Sequence, residues 1–208
     1  MRERPILFNT EMVKVILDGR KTCTRRLVKF LPGKNPQWTG YIKDGLMLYN
    51  GKNEPCIRKA PYQPGDILYV RETWCSAYGG EKYFYFADKL TNREERLLLN
   101  YDDVKWHPSI HMPKEAARIW LKVTNVKVEQ LQEITEDGAK EEGANFKNGK
   151  NVGLEEKMRR TAIERFAEIW NSTIKKTDID RYGWDANPWV WVIEFERCKS
   201  RERSSNGY

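Results

Sequence analysis

Gly19-Arg20-Lys21-Thr22-Cys23-Thr24-Arg25-Arg26 is the stretch on which the reading of this chain turns, with four cations and two threonine hydroxyls in eight residues. Just upstream, Asn9 is a good N-cap residue and Thr10–Asp18 carries Met12, Val13, Ile16 and Leu17 at helical spacing. A short helix is predicted there, with Gly19 as its stop. Lys21 and the Thr24 hydroxyl lie three residues apart after that stop. A tight turn or 3₁₀ coil puts them on one side, whereas an extended strand separates them. In the turn reading, Lys21 is a general base and Thr24 a nucleophile, because burial or neighbouring cations such as Arg20, Arg25 and Arg26 favour loss of the ammonium proton and leave a basic amine. The same cluster could instead hold a phosphate, or be a solvated basic turn with no task.

Working outward, Ile6-Leu7-Phe8 reads as a short strand, and Tyr41-Ile42-Lys43-Asp44-Gly45-Leu46-Met47-Leu48-Tyr49 as a hairpin turning at Asp-Gly. Pro64-Gly65-Asp66 feeds a strand over Ile67–Trp74, with Ile67, Tyr69 and Arg71 on one side and Leu68, Val70 and Glu72 on the other. Further strands are predicted at Tyr83–Phe86, Ile119–Val128 and Trp189–Phe195, the last burying Trp189, Trp191, Ile193 and Phe195. Between the last two, a short helix starts near Thr135. A long helix follows over Leu154–Asn171, with Leu154, Met158, Ala162, Phe166, Ile169 and Trp170 as its core stripe. Residues 144–153 read as a loop and 197–208 as a polar, basic, disordered tail. The expected class is α+β: one elaborated domain over residues 1–196, built on a mostly antiparallel sheet or small barrel with flanking helices and inserted segments.

Thirty-seven Lys and Arg against thirty Asp and Glu leave a net charge of +7, which favours anionic partners, nucleic acid first. At 39% hydrophobic and 32% charged, the 208 residues are globular in composition. Cys23, Cys56, Cys75 and Cys198 include no C-x-x-C pair, and Met1-Arg2-Glu3-Arg4-Pro5 does not resemble a signal peptide. Reduced thiols in cytoplasm are expected. No window approaches the length of apolar run that a membrane span requires.

The pattern G-R-K-T-x-T-x-R after a short helix resembles the signature of the ASCH family, part of the PUA-like superfamily. Pro64-Gly65-Asp66-Ile67-Leu68, Leu131-Gln132-Glu133-Ile134-Thr135-Glu136 and Val192-Ile193-Glu194-Phe195 are similar to that family's turn, strand-to-helix junction and closing strand. Most of the chain is similar to the long ASCH-domain proteins of phages and prophages, through R-E-R-P-I-L-F-N, V-R-E-T-W and W-D-A-N-P-W-V-W-V-I-E-F. More distantly it is similar to a bacterial N4-acetylcytidine amidohydrolase built on Lys, Thr and Glu. That resemblance implies a PUA-like fold with Lys21 as base, Thr24 as nucleophile and Glu142 as proton relay or orienter, with Glu141 or Glu136 as the other carboxylates in range. Arg25 or Arg26 would then hold the developing oxyanion.

Glu72 and Trp74 in Val70-Arg71-Glu72-Thr73-Trp74 could offer a base an acceptor and a stacking face, or be a paired carboxylate and a core indole. Trp184, before the Asp185-Ala186-Asn187-Pro188 turn, poses the same choice. His107 and His111 are spaced for a metal only on a helix, against which Pro108 and Pro113 argue, so neither metal nor other cofactor is expected. The expected ligand is RNA or a nucleoside, bound through Arg20, Arg25, Arg26, Glu72, Trp74 and Trp184, with DNA as an alternative and no membrane. Three function classes follow: a hydrolase acting on an N4-acetylated cytidine; a non-catalytic RNA- or modified-DNA-binding module; and a phage accessory protein that binds a host factor. A ribonuclease ranks below these.

Overall fold

The structure is a computed structural model that describes residues 2–34, 40–77, 82–88, 105–144 and 161–199. Its strands are β1 (Glu3–Leu7), β2 (Cys23–Leu27), β3 (Tyr41–Lys43), β4 (Met47–Tyr49), β5 (Ile67–Arg71), β6 (Trp74–Ala77), β7 (Lys82–Tyr85), β8 (Trp120–Gln130) and β9 (Trp189–Cys198). Its α-helices are α1 (Thr10–Leu17), α2 (Glu136–Glu141), α3 (Ala162–Thr173) and α4 (Ile179–Tyr182). The architecture is α+β: an open five-stranded sheet in the order β1-β5-β8-β9-β2, with β3-β4 and β6-β7 as separate hairpins. The expected mostly antiparallel sheet is present; the barrel alternative is not, because β1 and β2 stand at opposite ends of that order. β1 and β5 pair in parallel.

The described residues form two compact units, the first from within 1–19, 65–122 and 196–208, the second from within 20–64 and 123–195. In the first, α1 is capped by the Asn9 side chain, which accepts from the Met12 NH at 2.9 Å. The helix buries Val13, Val15 and Ile16, so its inner face takes in Val15, while Met12 and Leu17 are only half-buried. The strand predicted over Ile67–Trp74 breaks at Glu72-Thr73. β5 pairs with β8 through Leu68↔Leu121, and β6 turns away to pair with β7. Leu68, Val70 and Glu72 are all buried, as the alternation predicts. Met112, Ala116, Ala117 and Trp120 make a small core with Ile67, against which Trp74 packs.

In the second unit, the Asp44-Gly45 turn has positive φ at both positions (53° and 67°), the geometry whose twist suits a hairpin. Around β9, Val190 and Val192 are buried as well as Trp191, Ile193 and Phe195, while Trp189 is half-exposed. The simple alternation fails because β9 is an interior strand, paired with β2 on one side and bearing helices over Val190. β9 also extends to Cys198, two residues into the stretch assigned to the tail. α3 begins later than the periodicity suggests. Thr161 has extended backbone (ψ 162°) and caps the helix in a reciprocal pair with Glu164. Ala162, Phe166 and Trp170 then bury one stripe against Leu131, Ile134, Ala139 and Val190. Leu154, Met158, the 145–153 part of the loop and residues 200–208 lie outside the described residues.

Candidate functional site

The Gly19–Arg26 stretch is a turn only as far as Thr22. β2 starts at Cys23 because the backbone there finds a partner: Cys23 pairs with Glu194, Thr24 with Ile193 and Arg25 with Val192. The extended conformation overturns the expectation of a tight turn through Thr24. Side chains alternate along a strand, so Cys23 and Arg25 point to one face and Thr24 and Arg26 to the other.

Lys21 is held by the end of α2. The Thr22 NH donates to the Glu141 carbonyl at 2.9 Å and the Phe195 NH to the Thr22 carbonyl at 2.8 Å, pinning the turn between α2 and β9. Thr135 caps α2, its side chain accepting from the Gly138 NH at 3.0 Å, and Glu142 is the C-cap residue. Lys21 Nζ donates to the Glu142 main-chain carbonyl at 2.8 Å and forms an ion pair with the Glu142 carboxylate. A cation at a helix C-terminus satisfies an orphan carbonyl and complements the helix dipole. Both side chains are buried, 1% and 7% exposed, so the pair is sealed from water.

Arg25 joins the same network from β2. Its Nε and Nη2 donate to Glu129 Oε1 at 3.1 and 2.8 Å, and its Nη1 reaches Glu142 Oε1 at 3.4 Å. Lys127 holds the other Glu129 oxygen at 2.8 Å. Burial works against the Arg25 charge, but Glu142, Cys23 and Glu129 outweigh it and leave the guanidinium above its usual value. The result is an alternating chain of charge: Lys127, Glu129, Arg25, Glu142, Lys21.

On the opposite face, Arg26 Nη1 donates to Thr24 Oγ1 at 2.7 Å and to the Arg25 carbonyl at 3.0 Å. Burial lowers the Arg26 guanidinium from its usual value, with Glu142 pulling it back. Cys23 is inert by comparison: burial first, then the Glu142 carboxylate, push its thiol up to about 12, and Sγ rests 3.8 Å from the Gly138 carbonyl. A 160 Å³ cavity opens over Cys23, Arg25 and Glu129, rimmed by Glu133, Asp137, Glu141 and Glu194.

Of the carboxylates in range, Glu142 meets Lys21. Glu136 instead caps α3, accepting from the Ala162 NH at 2.9 Å, and Glu141 is exposed on the cavity rim. Thr24 is buried and bonds to Arg26 rather than to Lys21 or Glu142. Arg20 is half-buried in the turn. Glu129 was not singled out from the sequence. Its only local signal is Lys127 two residues before it on the same strand face, and its partner Arg25 lies 104 residues away.

Glu72 and Trp74 belong to the first unit and have structural partners. Arg118 donates from Nε and Nη2 to the two Glu72 oxygens, each at 2.9 Å, and from Nη1 to Asp88 at 2.7 Å. Its guanidinium lies 3.9 Å from the Tyr85 ring centre. Burial pushes the Glu72 carboxyl up from its usual range, with Arg118 pulling it down. The cation that partners Glu72 is therefore Arg118. The Trp74 ring centre lies 5.1 Å from that of His107, with the two planes tilted by 33°. Trp184 packs edge-on to Phe166 at 6.2 Å and lines a 260 Å³ cavity with Asn171, Asp180 and Asp185. His107 pairs through its backbone with Trp74, and His111 ends a single 3₁₀ turn, so the two do not share a helix face.

One solved ASCH domain is similar to this chain. It is a high-resolution crystal structure from Lactobacillus crispatus JV V101, 13% identical, with a TM-score of 0.37 over 94% of this chain and 79% of that one. No protein-family model and no curated protein matches. Among the described residues no helix is long and apolar enough to cross a membrane.

Proposed function

We propose that this is an ASCH-domain protein of the PUA-like kind, acting on RNA or a modified nucleoside by hydrolysing the amide of an N4-acetylcytidine-like substrate. The observation that carries the reading is the buried contact of Lys21 with Glu142, two residues 121 apart that the sequence resemblance assigns to one site. In the reaction, the Glu142 carboxylate takes a proton from the Lys21 ammonium, and as Thr24 Oγ attacks the acetyl carbonyl its proton passes to the amine so freed. Accepting from Arg26 leaves the Thr24 hydroxyl proton available for donation. Arg26 faces the oxygen at which the new bond forms and holds the oxyanion, the task for which Arg25, committed to Glu129 and Glu142, is less suited. The C–N bond then breaks, the cytidine amine takes the proton, and water releases acetate from the threonine ester. Glu142 orients Lys21 and relays its proton.

Incubation with N4-acetylcytidine should release cytidine and acetate. Lys21→Ala and Thr24→Ala should each lower turnover about a hundredfold or more. Unchanged turnover in both variants would sink the mechanism.

One observation favours a second reading, a non-catalytic RNA- or modified-DNA-binding module: Lys21 is bonded to Glu142 and Thr24 to Arg26, so base and nucleophile are not joined. That reading predicts no hydrolysis and an association with RNA that weakens steeply with salt.

A further inference from the structure

Glu142 needs a fixed orientation if it is to hold Lys21, and its second oxygen meets the tip of Arg25 at 3.4 Å. Arg25 is itself clamped. Glu129 takes both Nε and Nη2 through one oxygen, and the Phe166 ring centre lies 5.6 Å from the guanidinium carbon. Glu129 in turn is steadied by Lys127 on its other oxygen. Neutralising Glu129 frees the planar Arg25 fork to swing onto Glu142 as a two-bond pair, in direct competition with Lys21.

Resting on the site reading above, we infer that Glu129 is a positioning residue: through Arg25 it keeps the Glu142 carboxylate turned to Lys21. No bond joins Glu129 to Lys21, since the bonds of Glu129 go to Arg25 and Lys127. The hydrogen-bonded route between the two runs along Arg25 and Glu142, and the Glu142→Gln background separates it from direct charge attraction.

The test is a double-mutant cycle on the full chain with Glu129→Gln and Lys21→Met, read as the folding equilibrium constant from urea unfolding. Independent structural roles give additive losses. The positioning role gives a double variant that departs from additivity by about fivefold or more, and the departure vanishes when Glu142→Gln is present in every arm. Additivity within twofold overturns the inference. Should Glu129→Gln not fold, Glu129→Asp, which keeps the charge and shortens its reach, takes its place in the same cycle. A parallel measurement with N4-acetylcytidine should show Glu129→Gln lowering kcat about tenfold with KM within twofold, and Glu129→Asp recovering part of it. If wild-type protein releases no cytidine, the hydrolase reading fails while the folding cycle still decides the role of Glu129.

Discussion

Lys21 and Glu142 form an ion pair in which neither side chain is more than 7% exposed, and the same ammonium caps the end of α2. Removing one member leaves the other charged and buried. Lys21→Ala is expected to cost about 3–5 kcal/mol of unfolding free energy in urea, whereas Lys21→Met combined with Glu142→Leu should cost much less, because both charges leave together.

Arg118 binds Glu72 with two hydrogen bonds and Asp88 with a third group, while Glu72 is 1% exposed. Arg118→Ala should therefore lower stability by about 3 kcal/mol, and Asp88→Asn, at the more exposed end, by less than about 1 kcal/mol. Equal losses for the two in chemical denaturation would show that the charge on Glu72 is relieved in some other way.

Cys23 makes stability fall in alkali. The folded chain keeps the thiol proton up to about 12, whereas the unfolded chain releases it near the ordinary value of 9.0, so rising pH favours unfolding across that window. Three pH units set a ceiling on the order of 4 kcal/mol. Tyr85, raised by burial from 10.0 to about 12, adds in the same direction. Cys23→Ala should flatten the decline between pH 9 and 12, and native Cys23 should escape alkylation at pH 8 when peptides are mapped by mass spectrometry.

Thr161 and Glu164 close the start of α3 reciprocally, at 3.1 and 2.9 Å. Thr161→Ala is expected to cost about 1 kcal/mol and Thr161→Ser a few tenths. Thermal unfolding of the two variants side by side measures the difference.

Gly19 has φ +73°, and a Cβ there would meet nothing within 4 Å. The cost of Gly19→Ala is thus backbone strain alone, about 1 kcal/mol, and Gly19→Asn should cost less because asparagine tolerates the left-handed region.

Much of this molecule was legible in the residues themselves, for reasons that are local. Asn9, Thr135 and Gly19 mark helix ends through bonds and torsions within a few residues, and Asp44-Gly45 builds its turn from its own φ angles. The alternation of Leu68, Val70 and Glu72 likewise needs only the two-residue repeat of a strand. Glu72 shows where such reasoning stops, since its burial was readable but its partner Arg118, 46 residues on, was not.

The sequence by itself determined most of the elements, the open choice among carboxylates after Thr135, and the clustering of Lys21, Thr24 and the arginines. Only the tertiary structure decided that residues 23–27 are strand rather than turn, because β9 supplies the hydrogen bonds that make extended backbone the better state. The same pairing sends Arg25 and Thr24 to opposite faces, and the arrival of α2 beside Thr22 chooses Glu142 over Glu136 and Glu141. Periodicity and capping act over a few residues; a buried charge takes whichever partner chain closure brings within about 3 Å of it.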